Sequence, residues 1–260
     1  MFSAFPFRSR KNQQSPSLIQ KYPRLKACIF IISYGRTGST VLQRILNTLP
    51  NACIRGENNN ILMSLLKGQE AAVSARSMSH LSTEKGPWYG AELVQPDAFA
   101  KALVSSFIET ILCPPSDVVY LGFKEIRWFL EPQEFHKLLD FISSYFPNAH
   151  FVFNTRRVEE VRKSGWWWPA KALGDPDQII PMMDRMFLAY AEKYPTRSFH
   201  IDYDDFGSGV DAFAPIFRAF GEKLDDNRLQ QFYATGSSIE GLRHGVSGCC
   251  ARAGRTAKWP

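Results

Sequence analysis

Apolar runs and amphipathic stretches follow one another along the chain and predict alternating strands and helices. The continuous apolar run ACIFIIS (27–33) is typical of a strand covered on both faces. Further strands are predicted at 118–129, 149–155 and 197–206. Apolar residues at helical spacing predict helices at 40–49, 96–112, 132–146 and 176–194, one that opens at 158, and a mostly helical stretch at 211–235. This order predicts an α/β fold of three layers, with a central, mostly parallel sheet flanked by helices.

Both ends of the chain and one internal stretch lack these patterns. Residues 1–24 are polar and basic and contain Pro and Ser, so we predict a flexible arm before a single domain at 25–260. Residues 51–95 have an irregular pattern, and EKGPWYG (84–90) within them predicts a mobile loop. The tail at 245–260 is Gly-rich, basic and loop-like.

Charge and cysteine content narrow the possible functions. The formal net charge of +6 favours an anionic partner, but the basic residues are spread along the chain, which argues against nucleic acid. The five cysteines form no CxxC pair and stand at no metal-ligand spacing with His, which indicates free thiols in a reducing compartment. ACIFIIS is far shorter than the ~20 apolar residues that span a bilayer. We therefore expect a cytoplasmic protein with no stable membrane insertion.

SYGRTGST (33–40) lies where the first strand meets the first helix. Its two glycines allow backbone N–H groups at a helix N-terminus to face one anion, Arg36 adds a charge, and Ser39 and Thr40 add hydroxyl donors. The alternative is an ordinary strand-to-helix turn with a Ser or Thr cap. The GxxxxGK[ST] loop of nucleoside triphosphatases fits poorly, because Ser33 and Ser39 stand where its first Gly and its Lys should be.

A second basic element follows the strand at 149–155. Arg156 stands at the end of that strand and Ser164 follows eight residues later, under two turns along a predicted helix. Ligands of parallel sheets bind beyond the carboxyl ends of the strands, where the first loop also lies. A guanidinium and a hydroxyl facing one groove suit a second phosphate group, held apart from the first. Without the loop, Arg156 would be interpreted as a solvated charge.

Together these motifs resemble the sulfotransferases that use 3′-phosphoadenosine 5′-phosphosulfate (PAPS). The RTGST sequence at 36–40 matches the family's phosphate loop R-[ST]-G-[ST]-[ST], and Arg156 with Ser164 matches the motif that grips the 3′-phosphate. RGEN (55–58), GFKEIRW (122–128), IDYDDF (201–206) and the terminal GRTAKW (254–259) are similar to other family segments. Arg36, where the small-molecule cytosolic branch has Lys, makes the likeness one to the bacterial and carbohydrate-type branches.

One departure concerns the second motif, which usually reads Arg-[Asn/Asp]-Pro. Arg157 and Val158 fill the second and third positions here. Either Arg156 or Arg157 could therefore make the contact, and the spacing to Ser164 favours Arg156.

The resemblance implies a P-loop-type sulfotransferase fold, PAPS as sulfuryl donor, 3′-phosphoadenosine 5′-phosphate (PAP) as product, and no metal. It also implies a set of residues that bind the nucleotide. These are Tyr34, Gly35, Arg36, Thr37, Gly38, Ser39, Thr40, Arg156, Ser164, Arg252 and Arg255.

Three residues are implied in catalysis by the same resemblance. Glu57 stands where related enzymes keep a catalytic Glu, and its alternative is a surface ion pair with Arg55. Arg36 is placed to stabilise the leaving oxygen. Lys124 could reach the transferring group or simply pair with Glu125 or a neighbouring carboxylate.

Other residues are candidates for lesser roles. His80 is the second candidate for the base that takes the acceptor's proton. Trp88, Tyr89 and the run at 166–168 could form apolar walls for an acceptor, although Trp clusters more often pack a core.

The sequence thus predicts transfer of a sulfuryl group to a hydroxyl or amine of a sugar or other small molecule. Two alternatives are a nucleotide-dependent kinase and a non-catalytic module that binds nucleotides or other anions. The missing loop Lys and the lack of a Mg²⁺-binding carboxylate after an apolar strand disfavour the kinase. The acceptor and the oligomeric state are left open.

Overall fold

The computed structural model describes residues 18–163 and 175–224. Within these residues the strands are Ala27–Ser33 (β1), Ala52–Arg55 (β2), Tyr120–Glu125 (β3), Ala149–Thr155 (β4) and Ser198–Asp202 (β5). The α-helices are Leu18–Lys21 (α1), Ser39–Leu46 (α2), Ile61–Ser77 (α3), Pro96–Phe107 (α4), Pro132–Tyr145 (α5), Val158–Lys163 (α6), Pro176–Lys193 (α7) and Val210–Ala219 (α8). Helices α4, α5 and α7 begin with Pro in the first turn, where its fixed φ and missing N–H are tolerated.

The strands form one parallel sheet in the order β2-β3-β1-β4-β5. In its register Ile32 of β1 lies opposite Glu125 of β3, and Ser33 lies opposite Asn154 of β4. The carboxyl ends of the three central strands therefore lie at one edge. The predicted α/β fold, with helices flanking a central parallel sheet, is confirmed.

Each face of the sheet has its own apolar core. Because side chains alternate along a strand, Ala27, Ile29 and Ile31 of β1 face one way and pack with α2 and α8. Cys28 and Phe30 face the other way and pack with α3, α4, α5 and α7. Helices on both faces explain why β1 reads as an unbroken apolar run.

The irregular pattern at 51–95 gave no sign of β2 and α3, which both lie there. β2 is an edge strand of four residues, too short for a recognisable pattern. In α3 only Leu62 and Leu66 are buried along seventeen residues, so the helix shows no clear amphipathic period. The 84–90 segment forms consecutive turns, as expected of a loop.

Several predicted boundaries also shift. The strand predicted at 118–129 ends at Glu125, and that predicted at 197–206 ends at Asp202, whose carboxylate caps the 3-10 turn Tyr203–Ser208. The helix predicted at 96–112 is α-helical to Phe107 and continues as a π turn. The end of the predicted arm is ordered, since α1 forms one turn and Tyr22 is buried. Residues 1–17 lie outside the described part.

Candidate active site

The loop after β1 turns its backbone sharply before α2 begins. Arg36 (φ 75°) and Gly38 (φ 77°) both adopt the left-handed region. The first helical hydrogen bonds run from the N–H groups of Val41 and Leu42 to the Gly38 carbonyl oxygen. The N–H groups of Ser39 and Thr40 precede these bonds, at the helix end where free amides and a partial positive charge favour an anion.

The inside of this loop is held by hydroxyl groups. The Ser33 Oγ lies 2.5 Å from the Thr37 Oγ1 and donates to the Asn154 carbonyl oxygen at 3.0 Å. Ser33 and Thr37 are fully buried, whereas Arg36 and Thr40 are exposed. Among the predicted side chains of the loop, Arg36 and Thr40 therefore face solvent, while Thr37 braces the turn from within.

Tyr34 joins this loop to the end of β4. Its buried hydroxyl accepts from the N–H of Arg156 and donates to the carbonyl oxygen of the same residue, each at 2.9 Å. Burial and the nearby carboxylate of Asp184 in α7 raise the pKa of Tyr34, so the phenol stays protonated. The Tyr34 side chain thus positions Arg156, and only its backbone faces the turn.

Arg156 spans the gap between the two predicted motifs. Its Nη1 donates to the Arg36 carbonyl oxygen at 3.0 Å, and its guanidinium carbon lies 4.0 Å from the centre of the Tyr203 ring. Its Nη2 is 3.9 Å from the Glu160 carboxylate, beyond hydrogen-bonding distance. Arg157 instead pairs with Asp204 at 2.7 Å and is 63% exposed. The structure thus brings Arg156, and not Arg157, to the loop.

Tyr203 packs against both motifs. A Cβ at Gly38 would lie 2.5 Å from Cδ2 of the Tyr203 ring, so only glycine allows this approach. The ring is placed by the turn that Asp202 and Asp205 cap reciprocally after β5. We call this packing of Tyr203 between Gly38 and Arg156 the aromatic bridge. It was not predicted, although Tyr203 lies in the IDYDDF segment.

A second group of charges lies at the β2 and β3 ends of the same edge. The Glu57 carboxylate accepts from the Lys124 Nζ at 2.6 Å and from the Arg127 Nη1 at 2.8 Å. Lys124 has a side chain only 7% exposed, while that of Glu57 is 32% exposed. Lys124 lies an even number of residues after Tyr120 in β3, so both side chains point to the same face of the sheet. Tyr120 packs with α2 on that face, which is also the face of the loop after β1.

The alternative for Glu57 does not hold, whereas Lys124 does pair with a carboxylate, that of Glu57 rather than that of Glu125. Arg55 does not pair with Glu57, because it donates to the carbonyl oxygens of Leu112 and Cys113 at 2.7 and 2.8 Å. Glu125 does not pair with Lys124, because its carboxylate accepts from Arg127 and from backbone N–H groups. Arg127 was missed, although it stands three residues after Lys124 in the segment singled out above.

This geometry agrees with the comparisons with known proteins. The family model described as "Sulfotransferase family" matches residues 28–226. The chain belongs to the sulfotransferase family. Among solved structures it is similar to the sulfotransferase domain of the Synechococcus PCC 7002 olefin synthase, with a TM-score of 0.52, 18% identity, and coverage of 84% of this chain and 81% of that one. No curated protein gives a significant match.

Other predicted residues of this sulfotransferase lie away from the edge. His80 is exposed in the 3-10 turn Met78–Leu81 and hydrogen-bonds through Nδ1 with the Ser77 carbonyl oxygen. That turn follows α3, whose seventeen residues place it about 25 Å along the helix from the Glu57 loop. Trp88 and Tyr89 are exposed beyond it. Ser164, Arg252, Arg255 and the Trp run at 166–168 lie outside the described residues.

Across 18–163 and 175–224, no three His, Cys, Asp or Glu side chains are grouped so that they could hold a metal ion. In the same ranges no helix combines the length and the apolar character that crossing a membrane requires.

Proposed function

We propose that this sulfotransferase moves the sulfuryl group of PAPS to a hydroxyl or amine of a sugar or other small molecule. The observation that carries the proposal is the contact of Arg156 with the carbonyl oxygen of Arg36 at 3.0 Å. This contact joins a helix N-terminus to a second cation, so one continuous groove could hold two separate anionic groups of one ligand.

The donors at this edge fit a nucleotide with two phosphates. The exposed Arg36 and Thr40 and the first N–H groups of α2 would hold the 5′-phosphosulfate end. Arg156, held from behind by Tyr34 and flanked by the Tyr203 ring, would hold the 3′-phosphate. PAPS would supply the activated sulfuryl group.

The chain's own residues would then stabilise charge and take a proton. As the acceptor oxygen or nitrogen bonds to sulfur, the bond from sulfur to the bridging phosphate oxygen breaks, and PAP leaves. Arg36 and Lys124 would stabilise the charge that develops on the bridging oxygen. Glu57, which two cations hold in place, would accept the acceptor's proton.

The experiment combines turnover with nucleotide binding. We expect transfer from radiolabelled PAPS to at least one member of an acceptor panel, unchanged by EDTA. PAP should raise the melting temperature, because a ligand that binds only the folded state adds RT ln(1 + [L]/Kd), about 2.7 kcal/mol at 100 Kd. AMP, which lacks the 3′-phosphate, should raise it far less.

Two neighbouring arginines give a matched pair of variants. Arg156→Ala should abolish the difference between PAP and AMP, while Arg157→Ala, which loses only the pair with Asp204, should keep it. Equal shifts from PAP and AMP in the unmodified protein would contradict the proposal. Phosphoryl transfer from ATP that EDTA abolishes would favour a kinase, and PAP binding without turnover of any acceptor would favour a binding module.

A further inference from the structure

We propose that Glu125 is a positioning residue that fixes Glu57, and that it does so by tying together the segments that follow β2 and β3. This inference rests on the proposed function, in which Glu57 takes the acceptor's proton. Glu125 itself is fully buried and makes no direct contact with the groove.

One oxygen of Glu125 holds the segment that carries Glu57. The Oε2 accepts from the backbone N–H groups of Asn58 at 3.1 Å and Asn60 at 2.9 Å, the first and third residues after Glu57. These bonds fix the backbone of the β2–α3 connection to the end of β3. The position of the Glu57 Cα therefore depends on a carboxylate 68 residues away in sequence.

The other oxygen of Glu125 holds the cation that orients the Glu57 side chain. The Oε1 accepts from the N–H groups of Ile126 at 2.8 Å and Arg127 at 3.1 Å, and from the Arg127 Nη1 at 2.9 Å. The same Nη1, which carries two hydrogens, donates to the Glu57 Oε2 at 2.8 Å. Glu125 thus controls Glu57 twice, through its backbone and through its carboxylate.

Only a Glu suits this position. Every partner of the two oxygens is a donor, so a Gln at 125 must turn its amide NH₂ towards N–H groups on one side or the other. An Asp is one CH₂ shorter and could not reach both segments. Burial alone would raise the pKa of Glu125, but the N–H groups of Asn60, Ile126 and Asn58 and the guanidinium of Arg127 lower it below its usual value. The carboxylate therefore stays charged at neutral pH.

The first test is Glu125→Gln in the full chain, with Tyr120→Phe as the matched control. Tyr120 is also fully buried in β3, but at its other end, where its hydroxyl donates to Glu222 at 2.8 Å. We expect Glu125→Gln to lower kcat by about 10²-fold, the cost of a small misplacement of a catalytic group, with KM for PAPS and stabilisation by PAP near normal. Tyr120→Phe should lower the melting temperature without this loss of kcat. Equal kcat in both variants, or equal loss of PAP binding and turnover in Glu125→Gln, would overturn the inference.

A double-mutant cycle separates positioning from general damage. If Glu125 acts through Glu57, then Glu125→Gln should cost little further activity in a Glu57→Gln background. Fully additive losses would show that Glu125 acts on something else, and the inference would fail.

Hydrogen exchange provides a readout that does not need turnover. The amides of residues 57–60 or those of Ile126 and Arg127 should exchange faster in Glu125→Gln than in Tyr120→Phe, because the single carbonyl oxygen of Gln can accept from only one of the two segments. Unchanged exchange of all these amides would contradict the role of Glu125 as a tether between the segments that follow β2 and β3, whatever reaction the protein catalyses. Faster exchange in a protein that does not turn over PAPS would support the tether and contradict the proposed function alone.

Discussion

The two halves of the sheet's carboxyl edge hold their cations in different ways. At β1 and β4, Arg156 is held by a backbone carbonyl oxygen and an aromatic ring, and its nearest carboxylate contact is 3.9 Å. At β2 and β3, Lys124 and Arg127 lie within 2.6–2.9 Å of carboxylate oxygens. Cations held without close carboxylates keep their charge for an anionic ligand. Cations paired this closely also orient the carboxylates. The proposed function accordingly assigns nucleotide binding to the first half and proton transfer to the second.

Glu57→Gln breaks the second half and should have the largest effect. Gln keeps the size of Glu57 but cannot accept the acceptor's proton, so we expect kcat to fall by ~10²–10⁴. Stabilisation by PAP should stay near normal, because the first half is untouched. Steady-state kinetics and thermal shift on the same preparation test both statements. Normal turnover in Glu57→Gln together with a loss in His80→Ala would show that the base is misassigned.

Arg36→Ala tests whether one cation of the first half also serves the chemistry. We expect kcat to fall by ~10²–10³, the usual cost of removing one charge-stabilising donor, and the affinity for PAP to fall less. Arg36→Lys, which keeps the charge, should recover part of kcat. A loss confined to PAP affinity would make Arg36 a binding residue only and would sharpen the division between the halves.

The sequence predicts the first half of the edge better than the second. The bounds of β1 follow from an unbroken apolar run and those of β4 from a mainly apolar one, and the loop and Arg156 lie directly after them. Alternating strands and helices predict that both motifs lie at the carboxyl edge of the sheet. That β1 and β4 are neighbours, which brings Arg156 to the Arg36 carbonyl oxygen, comes from the observed strand order.

The second half depends on tertiary contacts that no local pattern reveals. Glu57 follows a four-residue edge strand, and its partners lie 67 and 70 residues further along the chain. Glu125 follows Lys124 in sequence, but its side chain points to the opposite face of the sheet. Arg55, two residues before Glu57, donates to backbone carbonyl oxygens and not to the Glu57 carboxylate. The role of Glu125 follows from five donors on two connections, which only the folded chain assembles.

Gly38→Ala, with Gly90→Ala as its control, tests the aromatic bridge of the first half. Both glycines have a positive φ, 77° and 85°, so both substitutions cost about 1–2 kcal/mol of backbone strain. At Gly90 no atom lies within 4 Å of an added Cβ, whereas at Gly38 the Tyr203 ring lies at 2.5 Å. Chemical denaturation should therefore give a loss at Gly38 about 1–3 kcal/mol larger. PAP stabilisation should weaken only in Gly38→Ala, and equal losses of stability would refute the bridge.

The smallest expected effect concerns Asp184, a residue of α7. Its carboxylate lies near Tyr34, which positions Arg156 in the first half. Burial raises the pKa of Asp184 to about 6; the hydrogen bond with Tyr34 opposes this rise and the charge of Asp202 adds to it. Since the unfolded chain releases this proton near pH 4, the folded state binds it more tightly, and the contribution of Asp184 to stability falls as the pH rises from about 4 to about 6.

Asp184→Asn removes this titration, so the informative quantity is the melting temperature of the variant minus that of the unmodified protein, followed across pH. Other carboxylates whose pKa is lowered, such as Glu125, drive stability the opposite way, and the subtraction cancels them. We expect the difference to rise by about 2–4 °C between pH 4 and pH 7, which is about 1 kcal/mol for a partly exposed group in a chain of this size, and to stay level above pH 7. A difference that is flat across the whole range would mean that the pKa of Asp184 is not raised by its burial in α7, and that this carboxylate is charged throughout.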